Sequence, residues 1–251
     1  MTRPSRSTGS SRKRRRPIPV ALTWLGHSAF RFDSPGGKIL IIDPWLSNPS
    51  APPAALEITK ADAILVTHGH SDHLGETVSL ARETGARVFA IHELSLYLQK
   101  AGLADVVGMN KSGSVRLDGI TITMVDATHS GGIETGEGVL PGGEPAGFVV
   151  AFESGLVVYH AGDTGLFGDM RLLAQLYKPD VAILPIGGLY TMGPFEAARA
   201  CEFIKPRHIV GMHYGTFPAL VGTPAELRRQ LRAPFKKRVH ELTPGETLWL
   251  S

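Results

Sequence analysis

Three histidines and one aspartate stand within six residues in Thr67-His68-Gly69-His70-Ser71-Asp72-His73, directly after the apolar run 63–66. That many ring nitrogens are hard to bury in a core, because each needs its own hydrogen-bond partner. Imidazole and carboxylate are instead the ligands that zinc and similar ions take. The apolar run reads as a buried strand that stops where the histidines begin. His68 and His70 alternate by two, so on an extended segment they project to the same side. Gly69 between them lets the backbone turn tightly and approach an ion closely. Asp72 and His73 fall around the turn, at the start of a helix, and cannot easily reach the same face of that ion. Two histidines for one ion and an Asp-His pair for a second is the simplest arrangement. A solvated polar turn that happens to be His-rich is the alternative.

A two-ion site needs further ligands from distant strand ends, and three residues fit. His129 follows a strand at 121–126, Asp163 one at 156–160, and His213 one at 208–211, each with a glycine within three positions. One ion would then hold His68, His70 and His129. The other would hold Asp72, His73 and His213, with Asp163 bridging. Two divalent ions roughly 3.5–4 Å apart deprotonate water near neutral pH and polarise an electrophile, so in a hydrolase hydroxide would attack without a Ser or Cys covalent intermediate.

The elements that must position these residues can be read along the chain. Strands are expected at 20–32, 38–43, 61–67, 87–91, 114–117, 121–126, 147–153, 156–160, 181–185, 208–211, 238–242 and 247–250. Helices are expected at 76–84, 93–100, 166–176, 195–204 and 224–231. Asp118-Gly119 is the strongest hairpin signal. The glycine-rich stretch 130–145 reads as a loop of the length that serves a binding site. Hairpins alternate with strand-helix units, which favours two mixed sheets facing each other with helices outside, a four-layer αββα sandwich within the α/β class. One domain over 19–251 is expected.

The 251 residues have 43% hydrophobic content, enough for one sizeable core, and a net charge of +3. The charge is uneven. Residues 1–16 hold seven Arg and Lys and no acid, so the remaining chain carries 19 basic and 23 acidic groups, a net of −4. The basic pI therefore belongs to a tail over 1–18, which reads as disordered, and a nucleic-acid partner is not expected for the body. The tail alone supports the other class of function, a nuclease or nucleic-acid binder. Nothing approaches the length of a membrane span. The single cysteine, Cys201, excludes an internal disulfide and fits a cytoplasmic setting.

The order Asp43, His-x-His-x-Asp-His at 68–73, His129, Asp163 and His213 resembles the five signature motifs of the metallo-β-lactamase superfamily. More narrowly, Trp24-Leu25-Gly26-His27-Ser28, Val66 through Gly75, His160 through Phe167 and Met212 through Pro218 resemble the UPF0173 metal-dependent hydrolases. Ascorbate-6-phosphate lactonase is a more distant relative. The resemblance implies the αββα fold and a dinuclear centre with a bridging hydroxide, zinc first among the ions, with manganese, iron or nickel open. It makes Asp43 a partner of a ligating imidazole from behind, although a turn residue before Pro44 is the competing role. His27 either faces substrate, with Asp72 and Asp163 in the catalytic set, or is a structural histidine; Tyr214 is a weaker candidate for the same task. Aspartate rather than cysteine at 163 speaks against β-lactam cleavage, and Gly69 against redox iron chemistry. Only 50 positions separate Asp163 from His213, too few for a nuclease insertion. The expected substrate is a small-molecule ester, lactone or phosphodiester, selected by the loops near 44–54, 130–145 and 186–194, and relatives make a homo-oligomer the expectation.

Overall fold

The computed structural model describes residues 18–251. The basic tail assigned to 1–18 therefore lies outside the described residues, apart from Ile18. In chain order the first half contains β1 (Val20–Trp24), β2 (Phe30–Asp33), β3 (Ile39–Ile42), β4 (Ala63–Leu65), α1 (Ser71–Leu74), α2 (Thr77–Thr84), β5 (Arg87–Ile91), α3 (His92–Lys100) and β6 (Val106–Met109). It continues with β7 (Ser114–Leu117), β8 (Ile120–Asp126), β9 (Gly132–Thr135), β10 (Gly138–Pro141), β11 (Ala146–Ala151), β12 (Val157–His160) and α4 (Met170–Tyr177). The last part holds β13 (Val181–Pro185), α5 (Pro194–Ile204), β14 (His208–Met212), α6 (Pro224–Gln230), β15 (Val239–His240) and β16 (Thr247–Leu250).

These strands build two seven-stranded mixed sheets, ordered β16-β1-β2-β3-β4-β5-β6 and β15-β14-β13-β12-β11-β8-β7. The fold is the expected αββα sandwich. In each sheet one half is antiparallel, made of hairpins, and the other is parallel, made through helical crossovers. Central parallel strands are covered on both faces and need unbroken apolar sequence. β4 (AIL) and β13 (VAILP) have it, and every residue in both is buried. The inner faces meet across Phe32 and Phe152, whose ring centroids are 5.9 Å apart, with Phe30 packed beside Phe32 at 6.5 Å.

Four expectations need correction. Residues 20–32 form two strands, because Gly26 (φ 92°) and His27 (φ 48°) adopt left-handed backbone and fold β2 back on β1. The stretch 130–145 is no bare loop: β9 and β10 pair as a separate hairpin. The helix at 166–176 begins only at Met170, since Gly165 is held by its N–H to the Thr128 carbonyl at 2.9 Å. Strand β6 escaped notice because it is a half-exposed edge strand containing a glycine. Asp118 (φ 44°) and Gly119 (φ 93°) turn the β7–β8 hairpin with both angles positive, as a type I′ turn requires.

Phe32 is fully buried at the contact between the sheets. Truncating such a ring costs roughly 3–5 kcal/mol. Phe32→Ala is expected to lower the unfolding free energy by that amount, seen as a lower urea midpoint with an unchanged m-value, read by circular dichroism.

Candidate metal centre

The seven proposed ligands come from strand ends on one rim. His68 and His70 follow β4, and Asp72 and His73 lie in α1. His129 follows β8, Asp163 follows β12, and His213 directly follows β14. Ligands gather outside the carboxyl ends of strands in α/β sheets for the same reason, since only there do chains from several strands converge without blocking the ladder. Backbone hydrogen bonds lock the two rims together: Ala146 N–H to Thr67 carbonyl at 3.0 Å, and His213 N–H to His27 carbonyl at 3.1 Å.

Three groups of donor atoms result, each within 4.8 Å: His68, His70 and His129; His68, His73 and Asp163; and His27, Asp72, His73 and His213. Asp163 Oδ2 is their common point, 2.9 Å from His213 Nε2, 3.3 Å from His73 Nε2 and 3.6 Å from His129 Nε2. His68 Nε2 lies 3.0 Å from His70 Nδ1. All seven expected ligands are thus brought together.

The orienting contacts behind them were only half legible. Asp43, fully buried, accepts the Thr67 N–H on Oδ1 at 2.8 Å and the Thr67 hydroxyl on Oδ2 at 2.7 Å. His73 Nδ1 lies 2.8 Å from the same Oδ2. A carboxylate only accepts, so Nδ1 carries a hydrogen and Nε2 is the nitrogen turned to the cluster, where an ion would take the place of its proton. The Thr67 hydroxyl, its hydrogen committed to Asp43, offers a lone pair to His68 Nδ1 at 2.9 Å. His68 Nε2 is then bare. Thr67 was missed in the sequence; a threonine directly before a ligand histidine is the signal that could have found it.

His27 is fully buried, so the expectation that it faces substrate does not match its placement. Its Nε2 sits 3.2 Å from Asp72 Oδ2 and its Nδ1 2.9 Å from the Thr216 hydroxyl. Burial pushes its pKa down to about 4, which keeps the ring neutral as a donor to Asp72. Tyr214 stacks on Trp24 at 5.2 Å, a packing role. Gly69 also works differently from the expectation. It has no positive φ; a Cβ there would lie 2.6 Å from Ile133 Cγ1, so the glycine makes room for β9 to sit on the motif.

Electrostatics favour a cation here. Burial opposes charge on His73, yet the carboxylates of Asp163 and Asp43 override it and hold its pKa well above the usual imidazole range. Burial likewise opposes ionised Asp163, but His73 and His213 hold its pKa well below the ordinary value. His68 goes the other way: burial, with His73 beside it, keeps it neutral. His73 Nε2 and Asp163 Oδ1 are buried without a hydrogen-bond partner, and His213 Nε2 lies 2.9 Å from Asp163 Oδ2. Ring nitrogens and a buried anionic oxygen converging on one point fit divalent cations bound among them. The cluster forms the floor of a cleft of about 680 Å³.

The fold and family are shown by the known proteins to which the chain is similar. The family described as the beta-lactamase superfamily domain matches residues 38–214. The UPF0173 metal-dependent hydrolase of Rubrobacter xylanophilus is 49% identical over 230 residues, 90% of this chain and 95% of that protein. The chain belongs to the UPF0173 metal-dependent hydrolases of this superfamily. Within that family, the Methanosarcina mazei protein is 45% identical over 231 residues, 92% of this chain and 99% of its own. Igni18, a metallo hydrolase from the hyperthermophilic archaeon Ignicoccus hospitalis, superposes with a TM-score of 0.82 at 38% identity, covering 93% of this chain and 99% of that one. This UPF0173 protein is accordingly a metal-dependent hydrolase, and no helix among its described residues is long and apolar enough to cross a membrane.

Thr67→Val keeps shape but removes the hydroxyl between Asp43 and His68. Loss of such an orienting partner typically weakens metal binding about 10–100-fold. Competition with a chromophoric chelator is expected to show one class of bound ion weakened by that factor while the other, served by His73, is kept.

Proposed function

We propose that the protein hydrolyses a small-molecule ester, lactone or phosphodiester with two divalent ions, one among His68, His70 and His129 and one among Asp72, His73 and His213, bridged by Asp163. The observation that carries this reading is that His129 from one donor group and His73 and His213 from the other all lie within 3.6 Å of Asp163 Oδ2, which lines the cleft. Zinc suits the all-His/Asp donor set, and manganese, iron and nickel accept it too. When bound, such ions make water acidic enough to react near neutral pH and supply positive charge to the oxygen of the electrophile.

The chain's own residues do the rest. Asp43 and Thr67 hold His73 and His68 with Nε2 turned to the cluster. His27 is a positioning residue: it fixes Asp72 Oδ2, and Oδ1 lies 3.9 Å from His73 Nε2. His70 presents Nδ1 to the cluster and leaves Nε2 toward the Ser130 hydroxyl at 3.3 Å. No serine or cysteine nucleophile is needed, and Cys201 is fully buried with its thiol pushed up to about 12 by burial. A nuclease reading lacks support among the described residues, because no Lys or Arg lines the cleft to hold a phosphate backbone.

Asp163→Ala removes the oxygen common to both donor groups. Protein purified without chelator is expected to carry about two equivalents of metal, falling below about one in the variant together with hydrolysis. Plasma mass spectrometry alongside an ester and lactone panel reads both; full hydrolysis by metal-free variant would sink the proposal.

A further inference from the structure

The walls of the cleft have a chemistry of their own. On one side Trp45 and Phe217 stack at 5.8 Å and 26°. Leu189 and Tyr190, 72% and 58% exposed, line the same cleft. Leu189 is held there by left-handed backbone (φ 52°), a conformation that is costly for a non-glycine residue and persists only where its surroundings enforce it. In the same cleft β9 lays Glu134 over the motif turn, where the Ser71 hydroxyl donates to its Oε2 at 3.2 Å. Apart from the presumed ligands, Glu134 is the only charged group lining the cleft among the described residues.

A substrate with its reacting bond at the metal cluster must place its remaining groups between these walls. Away from the metal floor, an anionic tail would meet a carboxylate and no Lys or Arg, at a cost that grows as the cleft loses water. An alkylammonium tail would meet aromatic faces and a carboxylate, the pairing by which proteins bind quaternary ammonium groups. We infer that the cleft selects substrates whose group remote from the cleaved bond is cationic, received by Trp45, Tyr190 and Phe217 with Glu134 as counter-charge. This rests on the hydrolase reading for the position of the reacting bond. It narrows the candidates to esters, lactones and phosphodiesters whose remote group is cationic and removes those whose remote group is a phosphate or carboxylate.

The full-length chain can be tested with choline, its uncharged isostere 3,3-dimethylbutan-1-ol, and 4-hydroxybutanoate, with binding read from tryptophan fluorescence. Choline is expected to bind about tenfold more tightly than the isostere. Glu134→Gln should bring that ratio close to one, and Glu134→Lys should shift preference to 4-hydroxybutanoate. Acetylcholine and 3,3-dimethylbutyl acetate repeat the comparison as kcat/KM. Choline binding no tighter than its isostere, an unchanged ratio in Glu134→Gln, or no binding of either probe overturns the inference. Absence of ester cleavage with the binding ratios as expected counts against the bond type proposed above and leaves the cation selectivity standing.

Discussion

The structure depends on one buried carboxylate. Asp43 accepts three hydrogens, two from Thr67 and one from His73, and through them fixes an imidazole on each side of the cluster. A histidine without such a partner could bind a proton on either nitrogen and rotate, and a bare nitrogen would not face the site reliably. Asp43 can do this because it sits at the very end of β3 with φ 47°, turning its side chain inward beneath β4. Two adjacent parallel strands, β3 and β4, thus bring the carboxylate and its threonine into register.

The same site holds much of the chain's unusual backbone. His27, Asp43, Leu189 and His213 are four of the eight non-glycine residues with positive φ among the described ones. Strain of this kind survives only where the surroundings over-determine it. Here they do: His213 N–H donates to the His27 carbonyl, which also accepts the Trp24 indole N–H at 3.0 Å. Gly187 packs so closely on the His213 carbonyl that a Cβ would collide with it. The scaffold is rigid where the donors are, and the hairpin β9–β10 and the segment around Leu189 shape the open side.

Much of this was legible in the sequence because clustered histidines and carboxylates stand out by type and spacing. The motif at 68–73 and the strand-end residues His129, Asp163 and His213 need only the rule that strands end where polar donors begin, and the structure gathers all of them. The apolar runs of β4 and β13 likewise declare doubly covered strands. What stayed hidden depends on contacts between distant segments. Thr67 gains its role from Asp43, 24 residues earlier. Gly69 is required by Ile133, and the burial of His27 beneath Asp72 follows from packing of Thr216 and Phe217 on its ring. The β9–β10 pairing was masked by glycines that read equally well as loop.

The most direct measurement is the metal stoichiometry of Asp43→Asn beside the natural chain, by plasma mass spectrometry after dialysis against a weak chelator. The amide keeps size but replaces one acceptor oxygen with a donor, which would face the hydrogens of Thr67 or His73. If Asp43 aligns both sides of the cluster, both equivalents are weakened together, by about 10–100-fold. Retention of two tightly bound ions in folded Asp43→Asn would contradict the account.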